Sequence, residues 1–186
     1  QGANLSRAVL DHAQLEGANL KGAKLEGAVL IGVIFGNADL SGANFKLAKV
    51  IGLKTGPDMD VEKLLAGKLP TFKSLLAPID VSRVTAVSAS MEKATLIGLV
   101  GKNSNFSKVN FLNASFAHCK LTGTNFSQAN FTSTSVVLDS HLPNSNFQNS
   151  TLLSSFFNGV DLQASDMRNA NLNKSYFGAA NMANVD

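Results

Sequence analysis

From Ala13 to Gly32 the chain reads AQLEG, ANLKG, AKLEG, AVLIG, a small residue two places before each leucine and a glycine two places after it. The period is five. In an α-helix, residues five apart are turned by about 500°, or about 140° net, so the leucines would circle the cylinder and mark no buried face. In a flat strand they would fall on opposite sides, because five is odd and the strand period is two. Both conflicts vanish if the backbone turns a corner every five residues. Ala13 and Leu15 then share an inward face, Gln14 points out, and Gly17 sits at the corner, where a missing Cβ eases the bend. A chain that keeps turning inward coils into a solenoid, with backbone hydrogen bonds between coils.

The units Ala3-Asn4-Leu5, Ala18-Asn19-Leu20, Ala38-Asp39-Leu40 and Ala43-Asn44-Phe45 resemble those of the pentapeptide-repeat proteins. The resemblance implies an all-β fold, a right-handed quadrilateral β-helix with four pentapeptides per coil. Handedness and the four sides come from the resemblance; the period alone supplies neither.

Inward centres run without a slip from Leu5 to Val50, and the pattern stops at Leu53-Lys54-Thr55-Gly56-Pro57. Over 58–80 the period changes. Asp60 is placed to cap a helix carrying Val61, Leu64, Leu65 and Leu69, which Pro70 ends. Thr71 is placed to cap a shorter piece with Phe72, Leu75 and Leu76 before Pro78. The reading is a single β-helix domain over 1–186, interrupted by a short helical insertion at 58–80. Repeats resume weakly around Val84-Thr85-Ala86, meet a poor centre at Gly101, and sharpen from Phe106 to Phe131. Stacking every twentieth residue predicts Phe106 over Phe126 and Phe111 over Phe131. One extra residue between Val137 and Asp139 displaces the later centres, Leu142, Phe147, Leu152 and Phe157, and predicts a bulge.

Composition narrows the chemistry. The 186 residues are 45% hydrophobic and 16% charged, with a net charge of +3. Signs alternate, as in Arg7, Asp11, Glu16 and Lys21, whereas a nucleic-acid binder concentrates basic residues. No apolar run approaches the ~18 residues of a membrane helix. The single cysteine, Cys119, excludes an internal disulfide and takes the small inward position two before Leu121, where a thiol is inert packing. His118 falls at the preceding corner. His12 and His141 have no metal-ligand spacing with any cysteine. Asp161 and Asp166 are members of an outward Asn/Asp series that includes Asn105, Asn110, Asn125 and Asn130, not a paired acid and base. The reading therefore contains no catalytic residue, cofactor or metal site.

What remains is recognition. A rigid rod with varied faces is suited to a non-catalytic protein-binding module, and insertions of a solenoid map to one side of it. Lys63, Lys68 and Lys73 project from the insert and are the candidate contacts to an acidic protein partner. Both ends of the sequence stand in mid-repeat, from which the reading expects further domains. Pentapeptide β-helices with helical insertions are similar to the amino-terminal domain of bacterial secreted effectors, the HECT-like ubiquitin ligases among them. That resemblance implies a virulence role in the host cell cytoplasm, partner binding by this domain, and a catalytic cysteine in a later one. The alternative is a free-standing repeat protein that binds DNA gyrase as a DNA mimic. Mimicry wants an acidic exterior, which the net charge opposes.

Overall fold

The structure, a computed structural model, describes residues 1–52 and 77–186. The predicted helical insertion, apart from its last four residues, and Lys63, Lys68 and Lys73 lie outside the described residues. Among the described residues every regular element is a short β-strand.

Those strands form parallel ladders that step by twenty residues, except where Lys49 pairs with Thr95 and where Ser135 pairs with Phe156. Strand β1 (Val9–Asp11) pairs in parallel with β2 (Val29–Ile31), β2 with β3 (Lys49–Ile51), and β3 with β5 (Thr95–Ile97). The ladder continues through β7 (Ser115–Ala117) and β9 (Ser135–Val137) to β10 (Phe156–Phe157), making a seven-stranded sheet. A three-stranded sheet joins β4 (Ile79–Asp80), β6 (Leu99–Lys102) and β8 (Lys120–Thr122). Single bridges complete two more ladders, one through Asn4, Lys24 and Asn44 and the other through Asn19 and Asp39. Asn4, Val9, Gln14 and Asn19 each begin a ladder, so the solenoid has four faces, named here first to fourth in that order. The fold is a parallel β-solenoid with the quadrilateral cross-section of a pentapeptide-repeat β-helix.

The five-residue phase follows from what each position does. Ala23, Leu25, Ala28 and Leu30 are fully buried, while Lys24 between the first two is exposed. Corners require a left-handed residue. Gly17 and Gly22 supply it at φ 65°, and Arg7, Leu47 and His118 adopt it at φ 59°, 60° and 54° without glycine's freedom. Outward Asn and Asp explain how. Asn105, Asn110, Asn125 and Asn130 each accept the backbone N–H two residues on through Oδ1, folding the chain into the corner.

Inside, Phe106 stacks on Phe126 at 5.8 Å between ring centroids and Phe111 on Phe131 at 4.8 Å, as the twenty-residue step predicts. Where early coils place alanine in the small inward position, later coils place hydroxyls. Ser104, Thr134 and Ser165 are buried, and each donates to a main-chain carbonyl of the preceding coil, those of Val81, Phe111 and Leu142. Each such bond satisfies a buried polar group and ties two coils together.

Two irregularities differ from their sequence readings. Ile79 and Asp80, assigned to the insertion, are already strand and pair with Leu99 and Val100. The ladder reclaims them because Ile79 fills the core. The extra residue near Val137 forms no bulge within a ladder. Offsets change from twenty (Ser115↔Ser135) to twenty-one (Ser135↔Phe156), and the excess is absorbed at a corner, where Leu138 and Asp139 both turn left-handed at φ 54° and 56°.

Candidate recognition groove

Faces one and four offer little that is free to recognise a partner. Their Asn and Asp oxygens are committed to the corner turns, and neighbouring amides bond along the ladder, Asn130 Nδ2 to Asn110 Oδ1 at 3.0 Å and Asn125 Nδ2 to Asn105 Oδ1 at 3.3 Å. Faces two and three vary instead. Face two presents Val9, Lys49, Thr95, Ser115, Phe156 and Tyr176 outward; face three presents Asp80, Val100, Lys120, His141 and Asp161.

The corner between these two faces gathers both irregularities. Ala77 N–H donates to the Gly52 carbonyl at 3.1 Å, so the two described segments meet at one point of this corner. Gly98 and His118 occupy the same corner in the next two coils, and Leu138 and Asp139 widen it in the coil after that. Along it runs an open groove of about 630 Å³, lined by Ala77, Pro78, Gly98, Val100, His118, Lys120, Asp139 and His141. Its first half is apolar and its second half polar.

The polar half has a definite charge arrangement. Lys120, His141 and Asp161 are consecutive rungs of face three. His141 Nδ1 stands 3.7 Å from Asp161 Oδ2. The other carboxylate oxygen of Asp161 accepts from the Gln163 N–H at 3.1 Å and from Asn181 Nδ2 at 2.9 Å. Lys120 is exposed, and no ion pair among the described residues takes up its ammonium group.

Cys119, between His118 and Lys120 in sequence, faces the other way. It is fully buried, and its thiol lies against the carbonyls of Leu96 and Ala117. Burial pushes its pKa up to about 12, so it is neither a nucleophile nor a metal ligand at neutral pH. Asp161 and Asp166 sit in different ladders, as the repeat reading requires. Among the described residues no group of three or more His, Cys, Asp or Glu is placed to hold a metal ion, and no helix is long and apolar enough to cross a membrane.

The fold and groove define a parallel β-solenoid built on a five-residue unit with one open groove along a corner. A family model described as pentapeptide repeats matches residues 1–27, 10–46 and 110–136, in eight copies, and together with the β-helix supports the pentapeptide-repeat family. No curated protein matches at a significant level. Solved structures with a similar fold include HetL, a pentapeptide repeat protein involved in heterocyst differentiation regulation in the cyanobacterium Nostoc sp. strain PCC 7120. It is 16% identical at a TM-score of 0.45, over 100% of this chain and 89% of that one. QnrB1, a plasmid-mediated fluoroquinolone resistance protein, is 18% identical at a TM-score of 0.31, over 96% and 89%. Rfr23 of the cyanobacterium Cyanothece 51142 is 18% identical at 0.32, over 88% and 87%.

Proposed function

We propose that this chain is a non-catalytic protein-recognition module that engages its partner along the corner between faces two and three. The observation that carries the reading is the coincidence of both irregularities, at Gly52/Ala77 and at Leu138/Asp139, on the one edge that borders the groove. Regularity is the low-energy default of a repeat, and departures from it concentrate where function requires them. Lys63, Lys68 and Lys73 lie in sequence between Gly52 and Ala77, and we propose them as further contacts.

Two finer readings rest on family resemblance. The effector reading makes this the partner-binding domain ahead of a HECT-like ligase domain, and its support is the interruption of the solenoid by an insertion. The gyrase reading needs a continuous acidic stripe. On face four, Asp39 and Asp166 are separated by Thr85, Asn105, Asn125 and Asn146, and on face three Asp80 and Asp161 by Val100, Lys120 and His141. The recognition-module reading is therefore the one adopted.

The test is affinity capture with the wild-type chain, with Leu138→Asp/Lys120→Glu at the groove edge, and with Lys21→Glu/Lys108→Glu on the opposite side. A partner retained by the opposite-side variant and lost by the groove variant supports the reading. Equal retention by both overturns it.

A further inference from the structure

Independently of the recognition reading, we infer that the core encloses a binding site for one small apolar molecule. The inward centres explain its origin. In the coil of residues 33–52 these are Phe35, Leu40, Phe45 and Val50, and the ladders set Val81, Ala86, Met91 and Leu96 over them. Gly101 and Phe106 follow over Val81 and Ala86. Val81 and Ala86 therefore supply less volume than the Phe35 and Leu40 they cover, and the larger residues at small inward positions, Val84 and Leu99, recover only part of it. What remains is a void of about 20 Å³. Phe35 and Leu40 border it from one coil, Val81, Val84 and Met91 from the next, and Phe106 from the third. Every residue around it is buried, and none carries a side-chain nitrogen or oxygen. Gly101 cannot close it, because an added Cβ there would lie 2.9 Å from the main-chain carbonyl carbon of Val81.

The chemistry of the walls selects the guest. One water needs about 10–15 Å³ of such space, so there is room, but a buried water also needs about two to four polar partners. The side chains offer none. The N–H groups of Val81, Ala86 and Met91 are spent on the carbonyls of Val100, Asn105 and Asn110, at 2.9, 2.8 and 2.8 Å. The void is therefore dry, and an apolar guest gains dispersion contacts that the walls otherwise lack. Its size admits a noble-gas atom or a diatomic gas, and its walls reject anything that must hydrogen-bond. Such a guest touches three coils at once only in the folded chain, so its binding stabilises the fold by mass action.

The test dissolves xenon under pressure in a solution of the chain and follows the methyl signals by NMR. Saturable shifts are expected at Leu40, Val81, Val84 and Met91, and none at Leu142 and Leu162, which are buried in later coils. Val81→Ile and Val84→Ile each add a carbon to the wall and are expected to abolish the shifts. The melting temperature is expected to rise with xenon pressure in the wild-type chain and in neither variant. Should one variant fail to fold, the other decides. Absence of saturable shifts in the wild-type chain, equal shifts at Leu142 and Leu162, a xenon response that the folded variants retain, or a buried water giving an NOE to the Met91 methyl would each overturn the proposal.

Discussion

The hydroxyl of Thr134 donates to the carbonyl of Phe111 at 2.7 Å, one coil to the next, while the equally buried hydroxyl of Thr124 has no hydrogen-bond partner. Two chemically identical side chains therefore have opposite energetic signs. Replacing Thr134 by the isosteric Val removes a made bond and is expected to cost about 1 kcal/mol. Thr124→Val removes an unsatisfied buried oxygen and is expected to stabilise by about 1 kcal/mol. Thermal unfolding of the two variants checks this: the melting temperatures should move in opposite directions, and parallel shifts would contradict the bonding pattern.

The inward phase gives a second contrast. Phe111 is fully buried and stacked on Phe131, so Phe111→Asp strands a charge in the core and is expected to cost about 3–5 kcal/mol or to prevent folding. Asn110→Asp, one residue earlier, should be nearly silent. Its Oδ1 serves only as an acceptor, from Leu112 N–H and Asn130 Nδ2, and a carboxylate fills both roles. Denaturant unfolding distinguishes the two, and equal losses would sink the five-residue phase.

Much of this was legible in the sequence, because a five-residue repeat leaves only one physically consistent placement for alanine, centre and corner. The phenylalanine columns, the burial of Cys119 and the place of the extra residue all follow from it. The groove does not. Taken singly, His118 reads as a corner residue next to Cys119 and His141 as a histidine without metal-ligand spacing. Counting twenty residues, plus one for the slip, places His141 beside Lys120 and Asp139 beside His118, so the signal was present but needed two corrections applied together. The buried hydroxyl ties were hidden for another reason: Ser and Thr at small inward positions read as alanine substitutes until the carbonyls of the preceding coil are seen.

Cys119 should resist thiol reagents in the native state. Its burial and raised pKa leave almost no thiolate at neutral pH, so labelling is expected to follow the rate of unfolding. Mass spectrometry after timed exposure, with and without denaturant, measures this. Rapid native labelling would show that the column opens locally.

Asp166 gives the acid response. Arg168 donates to both of its carboxylate oxygens and Gln148 Nε2 to one, holding its pKa well below the usual carboxylate range. A depressed pKa means the fold favours the charged form. Its stabilising contribution is therefore present above the unfolded value near 3.9 and is lost as pH falls through the folded one. Since the pair is on the surface, salt screens it and the effect on stability is small. Carboxyl NMR titration is the sensitive measurement, and Arg168→Ala is expected to raise the Asp166 midpoint toward the ordinary range.

Two glycines are needed for different reasons. Gly42 turns a corner at φ +65° with nothing within 4 Å of where a Cβ would stand, so Gly42→Ala is expected to cost only the left-handed strain of about 1–2 kcal/mol. At Gly52 no positive φ is involved, but an added Cβ would lie 2.1 Å from the Ala77 carbonyl oxygen. Gly52→Ala must therefore push Gly52 and Ala77 apart, breaking the hydrogen bond between them. Hydrogen exchange should show faster exchange at Ala77 and at Ile79, whose N–H donates to Gly98, in Gly52→Ala but not in Gly42→Ala. If Gly52→Ala leaves both amides protected, the junction has room that the structure denies it, and the groove edge built on that junction loses its anchor.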